Sequence, residues 1–472
     1  MTASKNESRP GPPNVPTAIL PAPGIPYFTP RQNPSPGTPF NVDETTPTLF
    51  TPLRIRDVEL RNRIIVSPMC QYSAAPSGPQ IGQLTDYHLA TLGHYGLKGA
   101  SIVFIEATGV QPNGRISPNC PGLWEDAQIA PVKRIADFLH SQGALCAIQL
   151  AHAGRKASVC PPWIAKEHRK ARGLPTGSAR ADADAGGWPD DVVGPMGGES
   201  ECWDGLGQSE EGGYHAPRAL SEENIDTLVK DWGRAAARAV KAGVDIVEVH
   251  AAHGYLLHQF LSPVTNRRTD KYGGSHENRI RLVKEIIQEV RRNIPNGMPL
   301  FLRISSTDWL EGSDVEKQFG GSWDVESSIR LAKELPDWGV DLLDVSSGSN
   351  HHLQNTSQFK VQSYQTSRAG RIREEVSKAG KPLLVGAVGL ITEAEFAKTL
   401  VQQPANGNGE DDISTEARIA KAMTDAHGSD GPAADVVLVA RQFLKEPEWV
   451  LRVAAKLGVD VAWPAQSRRV RF

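Results

Sequence analysis

From Leu49 onward the chain alternates between short apolar runs and longer segments in which apolar residues recur every three or four positions. The short runs fall at residues 64–70, 101–109, 145–150, 245–250, 300–304, 342–345, 383–388 and 436–439. They are rich in valine, isoleucine and leucine with few polar interruptions, the pattern of strands buried on both faces. Between them the spacing predicts helices over 84–98, 132–139, 280–290, 325–335, 372–378 and 449–455. Another begins at Ser221, where Ile225, Leu228, Val229, Trp232, Ala236 and Val240 share one face, and a Thr392-x-x-Glu395 capping box starts one more. Ser275 caps the helix that leads into 280–290. Eight strand-helix units in strict alternation predict a closed parallel (β/α)8 TIM barrel spanning residues 48–472. An open Rossmann sheet would carry GxGxxG after its first strand, and none is present.

Three segments break the rhythm. Residues 1–47 are dense in proline and lack an apolar period, which predicts an extended or disordered arm, draped over the folded body near residues 25–28. Residues 156–217, rich in Gly, Pro, Trp and charge, follow a strand's C-terminal end and are expected to form a lid or substrate-shaping loop. Residues 402–434 precede a strand, on the opposite face, and are expected to be inert or disordered.

Composition narrows the functional classes. A net charge of -3 without a Lys/Arg cluster gives no footprint for nucleic acid. No apolar run is long enough to span a bilayer, and the N-terminus lacks a signal pattern, so a soluble, cytoplasmic protein is expected. Five widely spaced cysteines without CxxC argue against a disulfide framework, a structural zinc or an iron-sulfur cluster.

In such a barrel, polar residues at the strand C-termini converge on one mouth. Gln149 and Arg303 stand out because each sits inside an apolar strand (AIQLA, LFLRIS), where an unpaired amide or guanidinium costs several kcal/mol. A planar polar partner such as a flavin edge would satisfy both; alternatively Arg303 pairs with Glu248 or Glu106 as a structural bridge. His250, His253 and Tyr255 crowd the fourth strand's end, and a long polar loop follows them. The i, i+3 histidines could be metal ligands, but His152 and Glu248 lack the spacing of a third ligand. His258 reads as a histidine that satisfies buried backbone. Gly386 and Gly389 after the seventh strand, with Arg441 after the eighth, suit a phosphate.

The motifs NRIIVSPMCQYS, IEATGV, QLAHAGRKAS, VEVHAAHGYLLHQFLSPVTNRRTDKYGGSHENR, LRIS, GAVGLI and VARQFL, in this order, resemble the Old Yellow Enzyme family of FMN-dependent ene-reductases. Cys70 followed by Tyr72 is similar to its thermophilic-like branch. The resemblance implies that Ser67, Pro68, Met69, Cys70, Ala107, Gln149, Arg303, Val388, Gly389, Ala440 and Arg441 hold FMN, with alanine at 440 where the family usually has glycine. It implies further that His250 and His253 bind the substrate's carbonyl oxygen, that Tyr255 donates a proton and that Tyr72 lines the pocket. Arg469, or its neighbours Arg468 and Arg471, would reach the active site of an adjacent subunit, which implies a homodimer or higher oligomer. The implied reaction takes a hydride from NADPH, with NADH the other candidate donor, to an activated alkene. Two readings from other classes are a flavin-binding barrel without turnover and a metal-assisted lyase. Relatives that reduce dienoyl-CoA esters need clustered cysteines for an iron-sulfur centre, and this chain has none.

Overall fold

The computed structural model describes residues 18–402 and 431–471. Residues 1–17 of the proline-rich arm and 403–430 of the second insertion lie outside the described residues. The eight strands are β1 Ile64–Val66, β2 Ile102–Gly109, β3 Leu145–Ala151, β4 Ile246–Ala251, β5 Leu300–Ser305, β6 Leu342–Ser346, β7 Leu384–Val388 and β8 Val436–Val439. All are parallel and pair in chain order, and β8 closes on β1 through Leu438 opposite Ile65. The helices between them are α1 Asp86–Leu97, α2 Ile129–Ser141, α3 Glu222–Lys241, α4 His276–Asn293, α5 Val325–Trp338, α6 Thr366–Lys378 and α7 Ala394–Val401, with α8 Trp449–Lys456 closing the ring.

Local chemistry sets the helix starts. Ser221 accepts the Asn224 N–H at 3.1 Å, Ser275 the Asn278 N–H at 3.2 Å and Asp324 the Ser327 N–H at 2.8 Å. Each such cap is worth about 1 kcal/mol. Three expected boundaries move. Pro68 has no N–H for the ladder, so β1 ends at Val66 instead of reaching Cys70. The polar first turn of α6 hides its period, and that helix begins at Thr366. Thr392 does not cap α7: its carbonyl accepts the Trp449 indole N–H at 3.3 Å, and Glu393 takes the cap position.

Strand alternation divides the side chains into two layers. In β4, Val247 and Val249 face the helices, while Ile246 packs inside the barrel with Phe104, Ala147, Phe301 and Leu342. Ile55 and Leu60, from a hairpin of Leu53–Ile55 and Val58–Leu60, join that inner cluster and plug the lower end. By the same alternation Glu248 and His250 point inward above Ile246. The barrel interior is thus apolar below and polar towards the strand C-termini.

The described part of the arm binds beneath the barrel. Gly37 N–H donates to Ala462 O at 2.9 Å, and Ala462 N–H returns to Thr38 O at 2.8 Å. Buried Asn62 donates to the carbonyls of Gly37 and Gly99, both at 3.2 Å. Tyr27 and Phe28, within the stretch expected to touch the body, are exposed.

Candidate functional site

Register brings the buried polar side chains into one belt. Gln149 lies opposite Glu248, His250 opposite Arg303, and Arg303 opposite Asp344. The Gln149 amide N–H donates to Glu248 Oε1 at 2.8 Å, leaving the amide carbonyl without a protein donor. Arg303 donates to Ser67 Oγ at 3.2 Å, and its Nε lies 3.1 Å from Asp344 Oδ2 in an ion pair bent away from hydrogen-bond geometry. The alternative bridge from Arg303 to Glu248 or Glu106 is not formed; the register sets Asp344 beside the guanidinium instead. Glu106 instead accepts the Gln71 N–H at 2.8 Å and faces His88 at 3.6 Å. Burial, reinforced by Asp344, pushes the Glu248 carboxyl up to about 8. Burial raises Asp344 to about 6, although Arg303 opposes the shift.

Above the belt, the His250 ring stands 5.1 Å from that of His253 and 5.1 Å from that of Tyr255, both edge-on. His250 Nδ1 accepts the Ala252 N–H at 3.3 Å, so its proton sits on Nε2 and that atom is a donor. His253 occupies a left-handed backbone position, φ 59°, held by its N–H to Ser305 Oγ at 2.9 Å and by Nε2 at 2.7 Å from Ser346 Oγ. Burial first, and then the Arg303 charge, hold both imidazoles well below the usual histidine range. Burial pushes the Tyr255 phenol far up, so it carries its proton. His258 supports this turn from behind: Nδ1 accepts the Gly254 N–H at 2.9 Å, and Nε2 pairs with buried Asp308 at 2.9 Å. His152 turns away, its Nδ1 accepting the Gly154 N–H at 3.1 Å.

The segment 156–217 forms one wall of the mouth. The Trp203 indole N–H donates to Ser349 O at 2.8 Å, and the Trp163 ring meets Tyr72 at 5.7 Å. Tyr72 itself has φ 51°. Lys156 Nζ donates to His253 O at 3.0 Å and Ser349 O at 3.2 Å, and stands 4.6 Å over Trp203 and 5.3 Å from the Tyr255 ring. Burial, then the charge of Arg155, brings its ammonium down to about 7. Lys156, Trp163 and Trp203 were not recognisable as site residues, since the segment has no period that would place them. Only the position of Lys156, six residues beyond the end of a barrel strand motif ending at Leu150, offered a signal.

Across the mouth, Gly389 has φ 114°, and a Cβ there would lie 2.6 Å from Gln365 Nε2. Gln365 in turn donates to Val388 O at 2.9 Å and accepts from Ser347 Oγ at 2.9 Å. Ala440 and Arg441 open the short helix Arg441–Lys445, with Arg441 exposed. Arg469 is exposed in the turn Ala465–Val470, which packs on the arm through Ala465 N–H to Gln32 Oε1 at 2.7 Å. That turn is near the arm beneath the barrel, so the chain does not bring Arg469 to its own histidines. Among the described residues no group of three His, Cys, Asp or Glu is arranged to hold a metal, and no helix is long and apolar enough to cross a membrane.

The belt fits a planar heteroaromatic ring. Arg303 keeps guanidinium N–H groups beyond those used by Ser67 and Asp344, and Gln149 keeps a free carbonyl. Sequence comparison agrees with that chemistry: residues 48–409 match the model of the NADH:flavin oxidoreductase / NADH oxidase family. Fold and family match together define a flavin-dependent barrel oxidoreductase. An NADH:flavin oxidoreductase of Gibberella zeae is 41% identical over 441 residues, covering 93% of this chain and 92% of that one. An NADPH dehydrogenase of Bacillus subtilis is 33% identical over 422 residues, covering 88% and 97%. Among solved structures, morphinone reductase in complex with tetrahydroNAD aligns with TM-score 0.57 and 27% identity over 89% of this chain and 94% of that one. The old yellow enzyme homologue of Zymomonas mobilis shares the fold at TM-score 0.59 and 24% identity, over 88% and 94%. The chain belongs to the NADH:flavin oxidoreductase / NADH oxidase family, the Old Yellow Enzyme family, with FMN as cofactor and a reduced nicotinamide as electron donor.

Proposed function

We propose that the protein is an NADPH-dependent ene-reductase that reduces activated C=C bonds of α,β-unsaturated carbonyl or related compounds. The observation that carries this reading is the donor pair His250 and His253 at one strand end, with Tyr255 beside them and Arg303 one strand away. FMN, when bound, supplies the two-electron carrier between the nicotinamide and the alkene. Ser67, Pro68, Met69, Cys70, Ala107, Gln149 and Arg303 would hold its ring, and Val388, Gly389, Ala440 and Arg441 its phosphate.

The two neutral imidazoles donate to the substrate's carbonyl oxygen and withdraw electron density from the β-carbon. They also stabilise the negative charge that gathers on that oxygen in the transition state. Tyr255, kept protonated by burial, delivers its hydroxyl proton to the α-carbon. Tyr72 and the wall of residues 156–217 limit which alkenes enter and keep bulk water from the developing charge. Arg469 of one subunit would complete the site of another.

The test is anaerobic NADPH oxidation with and without 2-cyclohexen-1-one, with product identification. Enone-dependent oxidation yielding cyclohexanone is expected. NADPH consumption that ignores the enone, or formation of the allylic alcohol, would reject the assignment.

A further inference from the structure

We propose that Lys156 makes the mouth selective for alkenes that carry a carboxylate on the α-carbon, its ammonium taking that anion while His250 and His253 hold the activating oxygen. The inference rests on the ene-reductase reading above and narrows its substrate class. Lys156 ends the short turn Gly154–Lys156 that follows β3, and its ammonium reaches two other strand ends. It donates to His253 O at 3.0 Å, after β4, and to Ser349 O at 3.2 Å, after β6. The Trp203 ring lies 4.6 Å from Nζ and the Tyr255 ring 5.3 Å. The cation thus stands beside the phenol assigned to protonate the α-carbon. A substituent on that carbon is the part of the substrate brought closest to it.

What sets this lysine apart is a charge without a counter-ion. Among the described residues no carboxylate lies within ion-pair distance of Nζ, because those on this wall are engaged elsewhere. Glu201 pairs with Arg155 at 4.0 Å and with Arg267. Asp204 accepts the N–H groups of Leu206 at 3.1 Å and Gly213 at 2.6 Å. Arg155, the neighbouring cation, donates to Glu201 O at 3.1 Å and Asn350 O at 2.7 Å. Lys156 is half-buried, and two carbonyls with two ring faces replace only part of the solvation an ammonium loses.

An ammonium has three N–H donors, and the protein uses two of them. A neutral amide could bridge the same two carbonyls, so the positive charge gains its advantage only when an anion arrives. An arriving carboxylate accepts the remaining N–H as a charge-assisted hydrogen bond, and it offsets the burial that brings this ammonium down to about 7.

The experiment compares (6-oxocyclohex-1-en-1-yl)acetate with its primary amide, which differ in charge but hardly in shape. Dissociation constants come from spectral titration of the oxidised, flavin-loaded protein without NADPH, and kcat/KM from anaerobic NADPH oxidation. The carboxylate is expected to be favoured by about tenfold or more in both. In Lys156→Met and Lys156→Gln that preference should vanish, with flavin content as the check on folding. Taking the ratio of the two ligands cancels the loss of the tie between His253 O and Ser349 O, which both ligands feel alike. Glutamine keeps an amide donor for those carbonyls, so it rescues a purely structural role but not the preference. A carboxylate bound no better than the amide by the unmodified protein would overturn the proposal. So would a preference that survives in either variant, which would assign the anion to another cation such as Arg469 of an adjacent subunit. Preferential binding without turnover would reject the ene-reductase reading and leave the anion site standing, whereas turnover of both ligands without preference would do the reverse.

Discussion

Replacing His250 by alanine probes the oxygen-binding device directly. Its Nδ1 is occupied by the Ala252 N–H at 3.3 Å, so Nε2 is a donor whatever the ligand. A phenolate bound in the mouth would receive that N–H as a hydrogen bond to a charged oxygen, worth about 1.5–3 kcal/mol. Loss of the bond should therefore weaken 4-hydroxybenzaldehyde binding by roughly 10- to 150-fold. The assay is a spectral titration of the purified protein at several pH values, with flavin content measured in parallel. Because burial and Arg303 hold both imidazoles well below the usual range, they remain neutral across the titration. Affinity should rise with pH up to the phenol's own pKa and show no step between pH 6 and 7. A change below about threefold with unchanged flavin content, or a step in that interval, would refute the reasoning.

Four further outcomes follow from the same geometry. Tyr255→Phe should slow alkene reduction by about 100-fold or more while leaving reduction by NADPH unchanged in stopped flow; equal slowing of both counts against a proton donor. Asp344→Ala leaves the buried Arg303 charge unpaired and should cost about 3–5 kcal/mol in urea unfolding, whereas a loss under 1 kcal/mol would mean that the pair is not a structural anchor. Lys156→Met removes the ammonium that ties His253 O to Ser349 O, so the KM for cyclohexenone should rise with flavin content intact; an unchanged KM would deny the tie a role in binding. Buried His88, His152 and His276 are lowered to about 4, about 3 and about 4, chiefly by burial, so the unfolded chain binds protons more readily than the folded one. Raised Glu248 and Asp344 bind protons more readily in the folded chain and pull the other way over the same interval, so the check is made ring by ring: in a proton-NMR titration these three imidazoles should stay neutral well below the ordinary histidine value, and titration at that value would contradict their burial.

Much of this site was legible because polar residues inside apolar strands are expensive. That reasoning singled out Gln149 and Arg303, and the crowding at one strand end singled out His250, His253 and Tyr255. It did not find the partner of Arg303: Asp344, in LLDVSS, carries the same signal, but cross-strand register is a property of the closed barrel and cannot be read along the chain. The eight strands were found within a few residues because a doubly buried strand needs an apolar run. The helix starts at Thr366 and Ala394 were misplaced where a polar first turn or a competing tertiary bond obscured the cap. The segment 156–217 was expected to shape the mouth, but its contributing residues Lys156, Trp163 and Trp203 could not be singled out, because their placement depends on contacts with the strand ends.

The most direct test of the central claim is an anaerobic titration of the NADPH-bleached protein with 2-cyclohexen-1-one, followed through the flavin absorbance band. The account predicts that the bleached band returns in proportion to added enone and is complete at one equivalent per flavin. A band that stays bleached until air is admitted, or a purified protein with no flavin band that cannot be reconstituted with FMN, would contradict it.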